Sequence, residues 1–348
     1  MDAQSLPPLT PDDLTPNDPT PAPAGPARGV VLGSGIGDLP RLFDDLAFAA
    51  ELGMRVVRID APWAAMQRRA GATNGRAVEA LHEALTAARQ LGLEPWVRLL
   101  QADVPLWFDD DGGFSDERNA GTWWPRWVES VASSVGDLVA GWVPFEAPYA
   151  MALRLQPDDA RKHGELMHTL VVAWRDAWRI LRGGPPVATS IDVRTERPTD
   201  PSPEAASLAR RRDQLRWGLW LRGLTDGVVR IPGRADRPLA ELDGACDVIG
   251  LALRAEVEGS LHRAAEQGPE RPLALTFRPT GDTDSERAAS IATLWRDVDG
   301  ARGTLDLGAV VATPFLDRLD ASGVTVEHGL ATASRRLKDA GEAFCAGR

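Results

Sequence analysis

A single (β/α)8 TIM barrel of the α/β class is the fold the sequence predicts, and three observations lead to it. From Gly29 onward short apolar runs alternate with longer amphipathic segments, which is the punctuation of β-then-α units around a parallel sheet. The runs number eight, whereas a doubly wound sheet typically uses about five or six strands and a glycine-rich first turn. The alternation fills about 320 residues, a length that such barrels occupy as one domain.

Residues 1–28 carry 8 of the 27 prolines and almost no large apolar side chains. Such a segment cannot bury enough surface to offset its ordering entropy. It is therefore expected to be a disordered Pro-rich tail, with the barrel spanning 29–348. The first strand is expected at 30–32 and its helix at 40–52, ended by Gly53. A second strand at 56–59 and a helix at 77–90, ended by Gly92, lead to a third strand at 96–100. The remaining strands read as 138–143, 187–193, 247–253, 272–277 and 307–312, and the remaining helices as 123–134, 161–182, 203–224, 255–266, 285–298 and 331–344. Trp174 with Trp178, and Trp217 with Trp220, sit at helical spacing and are expected in the core. Gly33-Ser34-Gly35-Ile36-Gly37 after the first strand imitates a dinucleotide-binding loop, but Asp60 at the end of the second strand is not followed by the rest of a nucleotide fold.

Composition removes whole classes of function. With 50 acidic against 39 basic residues the net charge is −11, which argues against the basic face that nucleic-acid binders need. No stretch reaches 18 apolar residues and the N-terminus lacks the pattern of a signal peptide, so neither membrane nor nucleic acid is an expected partner and a cytoplasmic location is expected. Cys246 and Cys345 form no CxxC pattern, and the five histidines have no metal-ligand spacing. No disulfide, metal site or cofactor is expected, and His163 and His168, five apart on one helix, read as solvated.

Several stretches, in order, resemble glycoside hydrolase family 1, the β-glucosidase and 6-phospho-β-glucosidase family. Asp45 to Gly53 followed by Val57-Arg58-Ile59-Asp60-Ala61-Pro62-Trp63 is similar to its first helix and its "RFSxxW" strand. Gly92-Leu93-Glu94-Pro95 and Leu100-Gln101-Ala102-Asp103-Val104-Pro105 resemble "GIxP" and "YHWDLP", and Gly112-Gly113-Phe114 resembles "GGW". Val135-Gly136-Asp137 through Trp142 to Glu146-Ala147-Pro148 resembles "LGDxVxxWxTxNEP". Cys246 to Leu251 is similar to "xDFIGxNYY", and Leu273 to Thr276 followed by Asp282 to Arg287 resembles "xxITENG…DxxR". The resemblance implies a TIM barrel and a retaining β-glycosidase ancestry. It also implies that the catalytic pair is gone: the acid/base position aligns with Ala147 and the nucleophile position with Phe277. Neither residue can donate a proton or attack an anomeric carbon, so the double displacement cannot run with the family's residues. The strand 3 His-Trp pair stands as Gln101-Ala102 and the strand 6 Asn-Tyr pair as Ala252-Leu253.

Function in a TIM barrel sits at the C-terminal strand ends, which here carry Arg58, Asp60, Gln101, Asp103, Glu146, Asp192, Arg194, Arg254, Arg278 and Asp317. These acids and arginines are expected either to pair around the mouth or to leave Arg58, Arg254 and Arg278 free for a carboxylate or phosphate, whose geometry guanidinium forks match. Gln101 would contribute to the same ligand site. Trp107 and Trp124, after strand 3, are candidates for stacking on a sugar ring. The leading expectation is a glycosidase-like barrel acting as a binding or scaffold protein, a pseudoenzyme, for a sugar-derived or anionic small molecule. The alternative is a divergent hydrolase or repurposed enzyme using Glu146 as general acid, with Asp60 or Asp192 as base. A third role, docking of a protein partner by the Pro-rich tail, rests on the affinity of extended proline segments for aromatic grooves.

Overall fold

A computed structural model describes residues 25–33, 35–100, 104–319 and 325–347. Its centre is one sheet of eight parallel strands: β1 (Ala27–Gly33), β2 (Val56–Asp60), β3 (Glu94–Leu100), β4 (Gly141–Phe145), β5 (Ile191–Asp192), β6 (Ile249–Leu253), β7 (Leu273–Phe277) and β8 (Leu307–Ala312). The strand order is β4-β3-β2-β1-β8-β7-β6-β5. The sheet closes because the stretch before β5 reaches back to β4. Trp142 donates to Pro186 O at 2.8 Å, Ala188 donates to Trp142 O at 2.8 Å, and Ala188 also bridges to Val248. The result is the expected (β/α)8 barrel.

Eight helices follow the strands: α1 (Leu39–Glu51), α2 (Gly75–Gln90), α3 (Glu117–Val135), α4 (Ala160–Leu181), α5 over 203–226, α6 (Val257–Gln267), α7 (Asp284–Ala301) and α8 (Asp339–Ala346). Local chemistry sets their starts. Asp38, Asp116, Asp159 and Ser202 accept from first-turn amides of α1, α3, α4 and α5, and Thr283 with Glu286 forms a reciprocal capping box on α7. Between helices and sheet lies the main core, and part of it is a run of aromatic contacts. Trp63 stacks on Trp127 with centroids 5.6 Å apart, and the run continues through Phe108, Phe114, Trp124, Phe145, Trp174 and Trp220. Buried indoles need an acceptor. Trp124, Trp127 and Trp174 find one in the carbonyls of Ala173, Leu99 and Ala245. Trp174, Trp217 and Trp220 are buried as expected.

A second, smaller cluster fills the barrel's lower interior: Val31, Val56 and Val311, with Ala27, Trp96 and Ala309 against them. Gly141 admits the Trp96 ring there, since a Cβ at that position would lie 2.4 Å from it. The charged strand-end residues therefore stand on an apolar floor.

Three expectations need correction. β1 begins at Ala27, so the expected tail ends earlier than residue 28, and residues 1–24 lie outside the described residues. The third helix starts at Glu117, because Asp116 caps it, and continues through Pro125. The last helix starts at Asp339 rather than Ala331, because the backbone of Ala331 is committed to the chain beyond β8: it donates to Phe315 O and accepts from Asp317. Among the described residues no helix is long and apolar enough to cross a membrane.

The closing seam leaves no room for a methyl group at Gly250, where a Cβ would stand 1.9 Å from Thr189 O, and Gly250 N and O both bond the Thr189 hydroxyl. Gly250→Ala is expected to destabilise the barrel by about 1 to 3 kcal/mol, the usual cost of overpacking. Gly259→Ala, on α6 with open space around it, is expected to be neutral or slightly stabilising. Urea unfolding of the two variants checks the contrast.

Candidate functional site

The C-terminal strand ends build a mouth whose first layer is set by β2 and β3. Strand alternation puts Arg58 and Asp60 on one face of β2, and Val57 and Ile59 on the other. Asp60 is the register partner of Arg98 on β3, and the pair is bidentate: Arg98 Nε to Asp60 Oδ1 at 2.8 Å and a terminal nitrogen to Oδ2 at 2.9 Å. Glu146, just beyond β4, completes the layer. Its Oε2 accepts from Arg58 at 2.8 Å and from Arg98 at 3.2 Å. Arg58 is 6% exposed. Burial pushes its guanidinium below the ordinary arginine value, against the pull of Glu146. For Arg98 the carboxylates of Asp60 and Glu146 outweigh burial and raise it. Thus Arg58, Asp60 and Glu146, all expected at the mouth, are brought together, and they are paired through Arg98.

Asp192, at the end of β5, forms a second centre. The helix Pro148–Leu155 starts at Ala147, which has no side chain to cap it. Asp192 supplies the cap from the neighbouring strand, accepting from Tyr149 N at 3.0 Å and Ala150 N at 3.1 Å. Arg216 donates to the same carboxylate at 2.8 Å and to Glu196 at 2.7 Å. It reaches them from a π-helical turn, Gln214–Gly218, inside α5, and its guanidinium lies 3.8 Å from the centre of the Tyr149 ring. Burial raises the Asp192 carboxyl above the ordinary aspartate value, although Arg216 and the amides pull it down. Ala147 holds a left-handed φ of 52°, a conformation rare for a residue with a side chain.

The far side of the mouth comes from β6, β7 and β8. A cavity of about 810 Å3 is lined by Glu146 and Asp192 on one wall and by Ala252, Arg254, Thr276, Arg278 and Thr313 on the other. Arg254 and Arg278 make no side-chain hydrogen bond or ion pair among the described residues. Partial burial, and then the neighbouring Arg254, push the Arg278 guanidinium down, against the attraction of Glu146.

Three sequence expectations find different surroundings. Trp124 is fully buried among Trp63, Phe114 and Phe145, so it offers no face to a ligand. Trp107 donates to Gln67 O and packs edge-on against Trp63 and Trp123, and it does not line the mouth cavity. Phe277 is 2% exposed in the main core. Strand alternation turns Thr276 toward the mouth instead. Gln101 and Asp103 lie outside the described residues. Reasoning from strand ends alone missed Arg98, Glu196 and Arg216. The signal for Arg98 was a cation inside an apolar run two residues after Trp96, and for Arg216 a cation flanked by Leu215 and Trp217 on a helix.

His163 of α4 is also not solvated. It is 5% exposed and 4.9 Å from the Tyr149 ring, and its Nε2 has no hydrogen-bond partner among the described residues. Among the described residues no group of three or more His, Cys, Asp or Glu is placed to hold a metal ion.

The sequence matches the family model described as glycosyl hydrolase family 1 over residues 36–230. The fold is similar to a family 1 β-glucosidase from Thermotoga maritima, with a TM-score of 0.79 at 14% identity over 93% of this chain and 96% of that one. It is also similar to a β-glycosidase from Pyrococcus horikoshii (TM-score 0.78, 18% identity, 91% and 92% covered) and a β-glucosidase from Exiguobacterium marinum (TM-score 0.78, 11% identity, 92% and 96% covered). At these identities the likeness concerns the fold alone. No curated protein matches the chain.

Two measurements check the site. Glu146→Gln removes a carboxylate from the buried Arg58 and is expected to cost about 3 kcal/mol or more, whereas Glu241→Gln, which loosens an exposed pair with Arg179 and Arg182, is expected to cost under about 1 kcal/mol. Burial first, then Arg211 and Arg216, lower the His163 pKa below the ordinary histidine value of 6.5. The folded state then binds fewer protons, so the stability from neutral His163 is complete above about pH 6.5 and is lost as pH falls toward the lowered value. His163→Gln is expected to lose less stability than the parent between pH 7.5 and 5 in urea titrations.

Proposed function

The chain belongs to glycosyl hydrolase family 1, and on that premise we propose that its barrel mouth holds a sugar-derived or anionic small molecule without cleaving β-glycosides by double displacement. Retaining hydrolysis needs one carboxyl group free to give a proton and a second, about 5 to 5.5 Å away, free to attack. The observation that carries the reading is the engagement of the mouth carboxylates. Glu146 is held by Arg58 and Arg98, Asp60 is taken bidentately by Arg98, and Asp192 serves as a helix cap bonded to Arg216. On β7 the side chains facing the mouth are the Thr276 hydroxyl and the Arg278 guanidinium, and neither replaces a carboxylate nucleophile. The resemblance that aligns Ala147 with the acid/base position supports the same conclusion, and on β7 neither Thr276 nor Phe277 is a carboxylate.

One observation favours a second reading. Glu146 Oε1 makes no hydrogen bond among the described residues, and burial raises Asp192 on the same cavity wall. An inverting hydrolase, whose carboxyl groups stand roughly 6.5 to 9.5 Å apart around a water, would use Glu146 with Asp192 or Asp60. A partner-docking role for the Pro-rich segment that precedes β1 is part of the proposal on composition alone.

The purified protein is expected to show no turnover of p-nitrophenyl β-glucoside above background. Turnover that disappears in Glu146→Gln would replace the binding reading with the hydrolase. A sugar or carboxylate that raises the melting temperature would support the binding reading, because a ligand specific to the native state stabilises it.

A further inference from the structure

We propose that Arg254 and Arg278 form a paired-guanidinium subsite for one compact dianion of the phosphate type, carried by the small molecule that the mouth binds. The proposal deepens the binding reading and rests on it. Its first support is register. Leu253 of β6 is the partner of Phe277 of β7, Ala252 is the partner of Thr276, and Arg278 N donates to Leu253 O at 2.9 Å. Arg254 and Arg278 therefore leave adjacent strands at the same level, their backbones about 4.8 Å apart. Alternation places both on the face of Ala252 and Thr276, and all four line the mouth cavity. Two like charges are thereby held side by side over the same space.

The second support is what surrounds them. Every other arginine of the mouth has a carboxylate: Arg58 has Glu146, Arg98 has Asp60 and Glu146, Arg194 has Glu196, and Arg216 has Asp192 and Glu196. Glu256, two residues from Arg254, engages Arg197 and Thr195 N instead. Arg318, a further cation acting on Arg278, donates to Leu32 O and has no ion pair among the described residues. Among the described residues of the mouth, this corner keeps positive charge without an ion pair, although Glu146 and Asp192 line the opposite wall.

The charge and valence of the pair select the ligand group. A carboxylate neutralises one guanidinium and is filled by one bidentate fork. A phosphate-type dianion neutralises two, and its terminal oxygens accept from two forks at once. The Thr276 and Thr313 hydroxyls at the base of the same wall are then available to the uncharged part of the molecule.

Isothermal titration of the full chain with inorganic phosphate, acetate and glucose tests the subsite. Phosphate is expected to bind, at least tenfold more tightly than acetate, and to lose at least tenfold in affinity in Arg254→Gln and in Arg278→Gln, with Arg197→Gln unaffected. Both altered side chains are exposed, and unchanged melting temperatures would show that the variants fold. Absence of phosphate binding, equal binding of acetate, or binding indifferent to both substitutions would overturn the subsite. Glucose binding without phosphate binding would overturn the subsite while leaving the mouth-binding reading in place. Phosphate binding lost in the two variants, together with β-glucoside turnover, would uphold the subsite and overturn the non-hydrolytic reading.

Discussion

A guanidinium buried inside a barrel is the constraint around which this mouth is organised. Arg58 stands on β2 with almost no solvent contact, above a floor of Val31, Val56, Val311 and Trp96 that offers it no acceptor. An unpaired charge there would be prohibitive, so the neighbouring strands must provide carboxylates. Glu146 provides one from β4. Arg98 on β3 then ties Glu146 to Asp60 and returns the network to β2. Such networks gain little over well-packed apolar residues, because desolvation consumes most of the Coulomb attraction. Their effect is to fix geometry, since breaking any one pair strands a charge. Three strand tops are held in one arrangement, and the carboxylates involved are committed to it.

That commitment bears on chemistry. A carboxyl group that serves as acid or nucleophile must meet the substrate with a free oxygen and change its charge during the reaction. Asp60 has neither oxygen free of Arg98. Asp192 has its oxygens on two helix amides and on Arg216, and losing its charge would release a helix end as well as a guanidinium. Only Glu146 keeps one oxygen without a hydrogen bond among the described residues. Ionic chemistry at this mouth is therefore directed inward, toward structure, except at Glu146 Oε1 and at the β6–β7 rim.

The fold was legible because it depends on periodicity and punctuation, which are local. Strands β2, β3, β6, β7 and β8 fall within two residues of the apolar runs that announce them. The last helix starts later than the pattern of residues 331–338 suggests because the backbone of Ala331 is claimed by distant partners, Phe315 and Asp317, and no local pattern reports that. The site was legible only in part, for the same reason. Arg58, Asp60, Glu146 and Asp192 lie on the upper strands or just beyond them, where position along a strand points. Their partners Arg98 and Arg216 come from mid-strand and from a π-turn, positions that a search confined to strand ends passes over. Phe277 shows the sharpest limit. Strand side chains alternate faces, so an alignment displaced by one residue exchanges core for mouth, and a low-identity resemblance cannot decide between Thr276 and Phe277 where register can.

The distribution of charge gives the last step. Many of the acidic residues that make the chain −11 are exposed on helices and loops, where salt screens them within about 10 Å. The mouth is instead a concave surface with an apolar floor, and low-dielectric walls focus the field of whatever charge remains unpaired. Pairing consumes the acids and bases of β2, β3, β4 and β5 almost completely, so the residual field is that of Arg254 and Arg278, with Arg318 beside them. An anion entering the mouth meets that field, and a neutral sugar does not feel it to first order. In the proposed binding reading, selectivity is set less by the fold than by the strand-end arginines that have no carboxylate partner among the described residues.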